Sequence, residues 1–265
     1  MSIAFYTGVS GMMASQKFMD ATAHNMANVN TTGFKTQNAS FQDLIYTKMN
    51  IHKNYGLVEG ADGQPANETD IPEEDRAYDM VGHGVKVGSV HLMYQQGGFN
   101  FTESSLDFAI DGEGLFAVKN GKDEIEYTRN GHFNVSLEGR KAYLVNSQGY
   151  HVLDRKGKAV VLTMEDGVPQ TFGLAEDIGV YHFTNPYGLI PTDGGSFLES
   201  ENSGEAKAMK AGETTSTVLQ GWLENSNVQL SDQMVNLIQA QRTFQLNSRV
   251  VQTADQIDEM INNLR

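Results

Sequence analysis

Asp111 and Glu113 stand in an Asp-Gly-Glu-Gly tetrad, a spacing that could hold a cation or set an acid beside a base. The remaining oxygen ligands of a calcium loop do not follow, so the tetrad reads as a turn into a strand at Leu115 to Lys119. The seven histidines are scattered, and none has the His-Glu-x-x-His spacing of a zinc helix. Gly82-His83-Gly84 with Gly88 lacks the G-x-G-x-x-G spacing and opens no helix, which makes it a strand-entry turn. A G-x-S-x-G elbow and a Walker loop are both missing. With no cysteine there is no disulfide, thiolate metal site or cysteine nucleophile. The sequence therefore calls for no catalytic residue, no cofactor and no metal.

The elements that would have to position any site point elsewhere. From Phe5 to Met26 the positions of one helix face are Phe5, Val9, Met12, Gln16, Met19, Ala23 and Met26, apolar or small except for Gln16. Near the other end Leu230, Met234, Leu237, Gln241 and Phe244 repeat the same four-three spacing. Val250, Ala254, Ile257, Ile261 and Leu264 resume it one step out of register. That spacing is a coiled-coil or bundle seam rather than the broad face of a helix lying on a globule. Gly8 and Gly11 each cost the first helix about 1 kcal/mol relative to Ala, and close approach of another helix would compensate. Turn formers at Asn28 to Gly33 should end it. Ser226-Asn227-Val228-Gln229 reads as a capping box opening the last helix. From there the chain runs without Pro or Gly to Arg265, roughly 58 Å of helix at 1.5 Å per residue.

Charge separates the ends from the middle. Residues 1–34 hold one acid and one base, and residues 226–265 hold four acids and three bases. The segment between them supplies thirteen of the fourteen net negative charges. A helix polar but uncharged on its far side suits packing against other subunits there, since no ion must be desolvated. The acidic balance argues against nucleic acid and against anionic membranes. No window approaches the roughly 18 to 20 apolar residues of a membrane span, so no membrane insertion is expected. The N-terminus lacks the basic start and apolar run of a signal peptide, so any export is expected to leave it intact.

Between the helices the pattern is β. Gly follows at Asn120-Gly121, Asn130-Gly131, Glu138-Gly139, Gln148-Gly149, Lys156-Gly157 and Asp166-Gly167, at regular intervals. Strand-like segments such as Glu124 to Arg129, His132 to Leu137 and Ala159 to Met164 lie between them, the signature of an antiparallel meander or sandwich. A second β region is expected from Gly179 to Leu189. Residues 31–50 read as a second, less regular segment anchored by Phe34, Phe41, Leu44, Ile45 and Met49. Residues 51–78 change composition, with acids at Glu59, Asp62, Glu68, Asp70, Glu73, Glu74 and Asp75 and few apolar side chains. The fold class is α+β, with long terminal helices pairing as a coiled coil around an antiparallel β-rich centre. The expected division is a discontinuous helical assembly domain (1–50 with 226–265), an acidic extended insertion (51–80) and a β-rich domain (81–225). Trp222, the only tryptophan, marks the junction before the last helix, as a core residue or an interface anchor.

Several stretches together carry a family resemblance. Gly11-Met12-Met13-Ala14-Ser15-Gln16, Ala23-His24-Asn25-Met26-Ala27-Asn28 and Thr32-Gly33-Phe34-Lys35 resemble the start of the bacterial flagellar rod and hook proteins. Gly221-Trp222-Leu223-Glu224-Asn225-Ser226-Asn227-Val228, Gln241-Arg242-Thr243-Phe244 and Asn247-Ser248 resemble that family's junction and closing helix. The interior agrees at Leu106 to Gly112, at Tyr127 to Phe133 and at Asn185-Pro186 with Gly188-Leu189. The resemblance implies an axial subunit of the flagellum: paired terminal helices in an inner tube, a β-rich outer layer, and helical homo-polymerisation. It also implies contact with other flagellar rod and hook subunits and passage through the flagellar type III export apparatus. Length favours a rod over a hook subunit, which is usually much longer. The segment ahead of Gly82 looks longer and more acidic than the rod-type insertion of the family. Phe133 to Leu137 fits the loose F-x-x-x-apolar pattern proposed for export-gate recognition.

The residues expected at the assembly interface are Phe5, Val9, Met12, Met19 and Met26 against Met234, Leu237, Phe244, Val251 and Ile257. Two other classes fit the sequence less well. One is a secreted β-domain binding module on a trimeric coiled-coil stalk. The other is an enzyme acting on peptidoglycan through Asp111 and Glu113.

Overall fold

The computed structural model describes residues 3–50, 78–121, 124–139, 141–165, 168–209 and 216–264. In chain order the elements are α1 (Ile3–Ala27), β1 (Gln37–Asp43), β2 (Tyr46–Asn50), β3 (Tyr78–Gly82), β4 (Val85–Leu92), β5 (Phe99–Phe101), β6 (Phe108–Gly112), β7 (Leu115–Lys119), β8 (Ile125–Thr128), β9 (Asn134–Glu138) and β10 (Lys141–Val145). There follow β11 (His151–Val152), β12 (Val161–Leu162), β13 (Met164–Glu165), β14 (Val168–Pro169), α2 (Leu174–Asp177), β15 (Val180–His182), β16 (Ile190–Pro191), β17 (Ser196–Leu198), β18 (Lys207–Ala208), β19 (Ser216–Gln220), β20 (Trp222–Glu224) and α3 (Leu230–Asn263). The α+β class and the antiparallel β-rich centre are as expected. The acidic run 51–77 lies outside the described residues. No described helix is long and apolar enough to cross a membrane.

The chain forms two compact units. The first comprises Met1–Met19, Ala39–Ser89 and Ile238–Arg265. Here β2 and β3 form an antiparallel ladder from Tyr46↔Gly82 to Asn50↔Tyr78. Ser40 and Ser89 bring their hydroxyls to 2.9 Å between β1 and β4. Residues 37–50, assigned by composition to the helical part, are therefore largely strand. Phe41 and Ile45, two of the supposed anchors, are exposed.

The second unit comprises Asp20–Asn38 and Val90–Leu237. Its main sheet runs β12-β10-β11-β7-β8-β17-β16, with β9 beside β10 and β15 beside β7. Strand β7 shows why the sheet is buried on both faces. Successive side chains of a strand point to opposite sides. Phe116 and Val118 enter a core with Phe108, Ile110, Phe133, Leu144 and Val152. Leu115 and Ala117 enter a second core with Tyr127, Leu153, Tyr181 and Phe197. Around this sheet β6 pairs with β19 and β5 with β20, both antiparallel.

The turn pattern is realised unevenly. Gly139, at φ +65°, makes the β9–β10 hairpin expected there. The Asn130-Gly131 pair makes no hairpin: a Cβ on Gly131 would lie 1.7 Å from the Phe108 carbonyl oxygen, so glycine serves close packing instead. The Asp166-Gly167 pair lies outside the described residues.

The last helix starts at Leu230, one turn later than the supposed capping box, and runs 34 residues. Its first hydrogen bond is accepted by the Gln229 carbonyl, from Gln233 N. The reason is Asn227. Its Oδ1 accepts from Thr36 N at 2.7 Å and Thr36 Oγ1 at 2.6 Å, while its Nδ2 donates to the carbonyls of Met93 and Gln95. Those four bonds hold residue 227 as a clip rather than releasing it into a helix.

Candidate functional site

In the first unit the two terminal helices meet along small residues. A Cβ added to Gly8 would lie 2.8 Å from Val251 Cγ2, and one added to Gly11 would lie 2.5 Å from Asn247 Nδ2. Ser15 donates its hydroxyl back to the Gly11 carbonyl at 2.8 Å, turning a polar side chain into a flat surface. The close approach expected to compensate the two glycines is present.

The register of the seam differs from the sequence reading. On α1 the buried positions are Gly8, Gly11, Ala14, Ser15, Ala21, Thr22 and Asn25; of these, Gly8, Gly11, Ser15, Thr22 and Asn25 each lie one step from the stripe of large side chains. Phe5, Val9, Met12, Met19 and Met26 are half-buried on its flank, and Gln16 and Ala23 are exposed. On α3 the inward positions are Gln233, Leu237, Ala240, Phe244, Asn247, Val251 and Ala254, spaced alternately four and three. The structure thus brings Leu237, Phe244 and Val251 inward and leaves Met234 and Ile257 about half exposed, at 47 % and 51 %. The contact within one chain runs along small side chains, because they let the two helices approach closely.

In the second unit the seam becomes polar. Asn25, 2 % exposed, donates Nδ2 to Gln37 O at 2.8 Å and to Gln233 Oε1 at 3.1 Å. Its Oδ1 accepts from Gln37 N at 2.9 Å. A buried amide so fully bonded fixes helix register, because any slip leaves polar groups unpaired.

The centre of this unit is an ion cluster absent from the sequence reading. Glu224, at the end of β20, binds Lys35 Nζ through Oε1 at 2.7 Å and Arg129 Nε through Oε2 at 2.5 Å, all three side chains at most 5 % exposed. Gly97 N donates the carboxylate's third bond, the second to Oε1, at 2.9 Å, and the Glu224 carbonyl accepts from Gly33 N at 2.8 Å. Lys35 also reaches the Gln95 carbonyl at 2.9 Å. The rest of the Arg129 fork donates to the carbonyls of Ile110, Gly112 and Gly114 at 2.5 to 2.8 Å.

The acidic tetrad finds its role here. Gly112 and Gly114 take φ of +109° and +123°, a region open to glycine, and turn their carbonyls toward the guanidinium. The Asp111 and Glu113 side chains are exposed. Backbone oxygens, not the carboxylates, make the contact.

Electrostatics within the cluster oppose each other. Burial pushes the Glu224 carboxyl up, yet the charges of Arg129 and Lys35 outweigh it and hold it below the ordinary carboxylate value. For Lys35, burial dominates and lowers its pKa against the pull of Glu224. Arg129 adds to that lowering. Two cations share one anion, and the carbonyl oxygens around Arg129 disperse the excess.

The signal for these residues was in the sequence. Lys35 is the only formal charge between Asp20 and Asp43, and Glu224 the only one between Glu213 and Asp232. An isolated charge in an uncharged stretch is a candidate for a buried pair. Trp222, close to Glu224 in sequence, packs in a tilted arrangement against Phe101, with centroids 5.0 Å apart and the rings at 53°. The export candidates Phe133 and Leu137 are not brought together. Phe133 is 1 % exposed against Phe108 and Phe116, and Leu137 is 66 % exposed.

Known proteins match the chain in the same order as these elements. Residues 5–35 match the family described as "Flagella basal body rod protein". Residues 109–178 match "Flagellar hook protein FlgE/F/G D1 domain", and 219–264 match "Flagellar basal body rod FlgEFG protein C-terminal". The flagellar basal-body rod protein FlgG of Caulobacter vibrioides is 34 % identical, with 99 % of each chain covered. Those of Borreliella burgdorferi and Bacillus subtilis are each 32 % identical, covering 99 % of this chain and 98 % of theirs. The half-chains joined at the Glu224 cluster are thus matched together and over their whole length, and the chain belongs to the FlgG-like family of flagellar basal-body rod proteins.

Proposed function

We propose that this structural subunit of the flagellar basal-body rod polymerises helically through its terminal helices to build the axial shaft required for motility. The observation that carries this reading is the apolar surface left on α3 after its inward positions are filled. Leu230, Met234, Ile238, Val250, Ile257 and Ile261 are each at least 41 % exposed. Covering one such side chain fully is worth about 1.5 to 3 kcal/mol, so neighbouring copies packed along the two flanks of α3 gain substantially.

In this reading α1 and α3 pair as a coiled coil in an inner tube. Leu237, Phe244 and Val251 close the pair from inside one chain. Phe5, Val9, Met12, Met19, Met26, Met234 and Ile257 meet neighbouring copies. The β-rich residues 81–225 form the outer layer of the polymer. Other rod and hook subunits bind at its ends. The chain is delivered through the flagellar type III export apparatus. The burial of Phe133 fits recognition of Phe133 and Leu137 in an unfolded chain. The protein acts as a structural part, not as an enzyme.

The test is light scattering of the purified chain against concentration, followed by negative-stain microscopy. Filaments or tubes that disappear on removal of residues 1–30 are expected. A closed trimer or a monomer that stays monomeric at every concentration overturns the reading.

A further inference from the structure

Two Asn-Gly pairs occur in the chain, Asn120-Gly121 and Asn130-Gly131. Such a pair is chemically labile, because the glycine amide nitrogen can reach the asparagine carboxamide without a side chain in the way. The structure treats the two pairs in opposite ways. The Asn130 carboxamide is fixed: its Oδ1 accepts from Thr32 Oγ1 at 2.7 Å and from His132 N at 3.0 Å. Gly131 is buried, with its Cα wedged against the Phe108 carbonyl oxygen and its own carbonyl bound to Phe108 N at 3.0 Å. Its peptide cannot swing toward the Asn130 side chain.

At the other pair nothing comparable holds. Asn120 follows β7 in the connection to β8, where its N–H donates to the Glu124 carbonyl at 2.9 Å. Among the described residues no hydrogen bond restrains its carboxamide. Gly121 is exposed, and among the described residues a Cβ placed on it would find nothing within 4 Å.

We propose that Asn120 is a site of spontaneous deamidation and isoaspartate formation, and that the fold protects Asn130. The Gly121 amide loses its proton to solvent hydroxide, and its nitrogen attacks Asn120 Cγ, forming a C–N bond. The tetrahedral carbon expels the carboxamide nitrogen, which leaves as ammonia after taking a proton from water, and a succinimide remains. Water then opens either ring carbonyl, giving aspartate or isoaspartate. No oxidation or reduction is involved. The product adds one negative charge. In its isoaspartyl form it also adds one carbon to the main chain, inside the loop that the Asn120–Glu124 bond closes.

The experiment ages the full-length folded protein at mildly alkaline pH, with peptide mass spectrometry and enzymatic methylation of isoaspartate as readouts. Conversion at Asn120 is expected to run many-fold faster than at Asn130, and the two should converge in concentrated urea. Gly121→Ala, which the open site accommodates, should slow conversion at Asn120 several-fold. Equal rates at the two sites in the folded protein, or no slowing in Gly121→Ala, overturn the proposal.

Discussion

Gly11 on α1 faces Asn247 on α3 so closely that a single added carbon would lie 2.5 Å from the Asn247 amide nitrogen. Alanine in place of a mid-helix glycine gains about 1 kcal/mol of helix propensity, whereas overpacking costs about 1 to 3 kcal/mol. Gly11→Leu should therefore be destabilising and should abolish swimming. Gly11→Ala alone should be nearly neutral or mildly destabilising. Combined with Asn247→Ala, which removes the clash, it should exceed wild type in thermal stability. A thermal melt of the single and double variants, analysed as a cycle, checks the coupling.

Glu224→Gln leaves Lys35 and Arg129 buried without their anion. Removing one partner of a buried ion pair costs about 3 to 5 kcal/mol. Urea denaturation should show a loss of that size. Glu224→Asp, which keeps the charge but shortens the reach, should recover part of it. A loss below about 1 kcal/mol, the size expected of an exposed pair, would contradict the buried geometry.

The same cluster sets a pH dependence. The folded-state pKa of Glu224 lies below its unfolded value, so its contribution is present in full above the ordinary carboxylate pKa. It is lost as pH falls through the lower, folded pKa. The denaturation midpoint should therefore fall on acidification below the ordinary carboxylate range. Glu224→Gln should flatten this acid limb relative to wild type. An unchanged limb in the variant would assign the acid sensitivity to other carboxylates.

Met234→Asp and Ile257→Asp place charges on half-exposed positions of α3. The isolated chain should keep its circular dichroism spectrum and melting temperature within the small change typical of surface positions, about 0.5 kcal/mol. Assembly and motility should be lost. Met12→Asp, on the half-buried flank of α1, should likewise stop swimming while leaving the β-rich unit folded. Normal motility in all three would remove these faces from the interface.

Much of this architecture was legible in the sequence, and the exceptions share a cause. Strand β7 was placed at Leu115–Lys119 because a run of apolar residues followed a glycine turn, and both faces of it are buried. The terminal helices were legible because their four-three spacing survives in either register. The register itself was not, since hydrophobicity points to Met12 and Met19 while the contact selects Gly8, Gly11 and Ser15 for their size. The start of α3 was misplaced because a local rule about Ser226 and Gln229 competes with tertiary bonds from Asn227 to Thr36, Met93 and Gln95. Glu224, Arg129 and Lys35 each sat in a recognised stretch of sequence, yet no spacing rule joins residues so far apart.

The distance between those residues has a kinetic consequence. Lys35 and Glu224 are 189 positions apart, and their contact closes a loop of most of the chain. Bringing such ends together costs entropy before any contact rewards it, and folding that depends on it is slow. Until Glu224 arrives, Lys35 and Arg129 have no anion to follow them into an apolar interior, so early collapse around them is penalised. A nascent chain is thus held open until β20 has emerged, and commitment to the native topology waits for Glu224, at position 224 of 265.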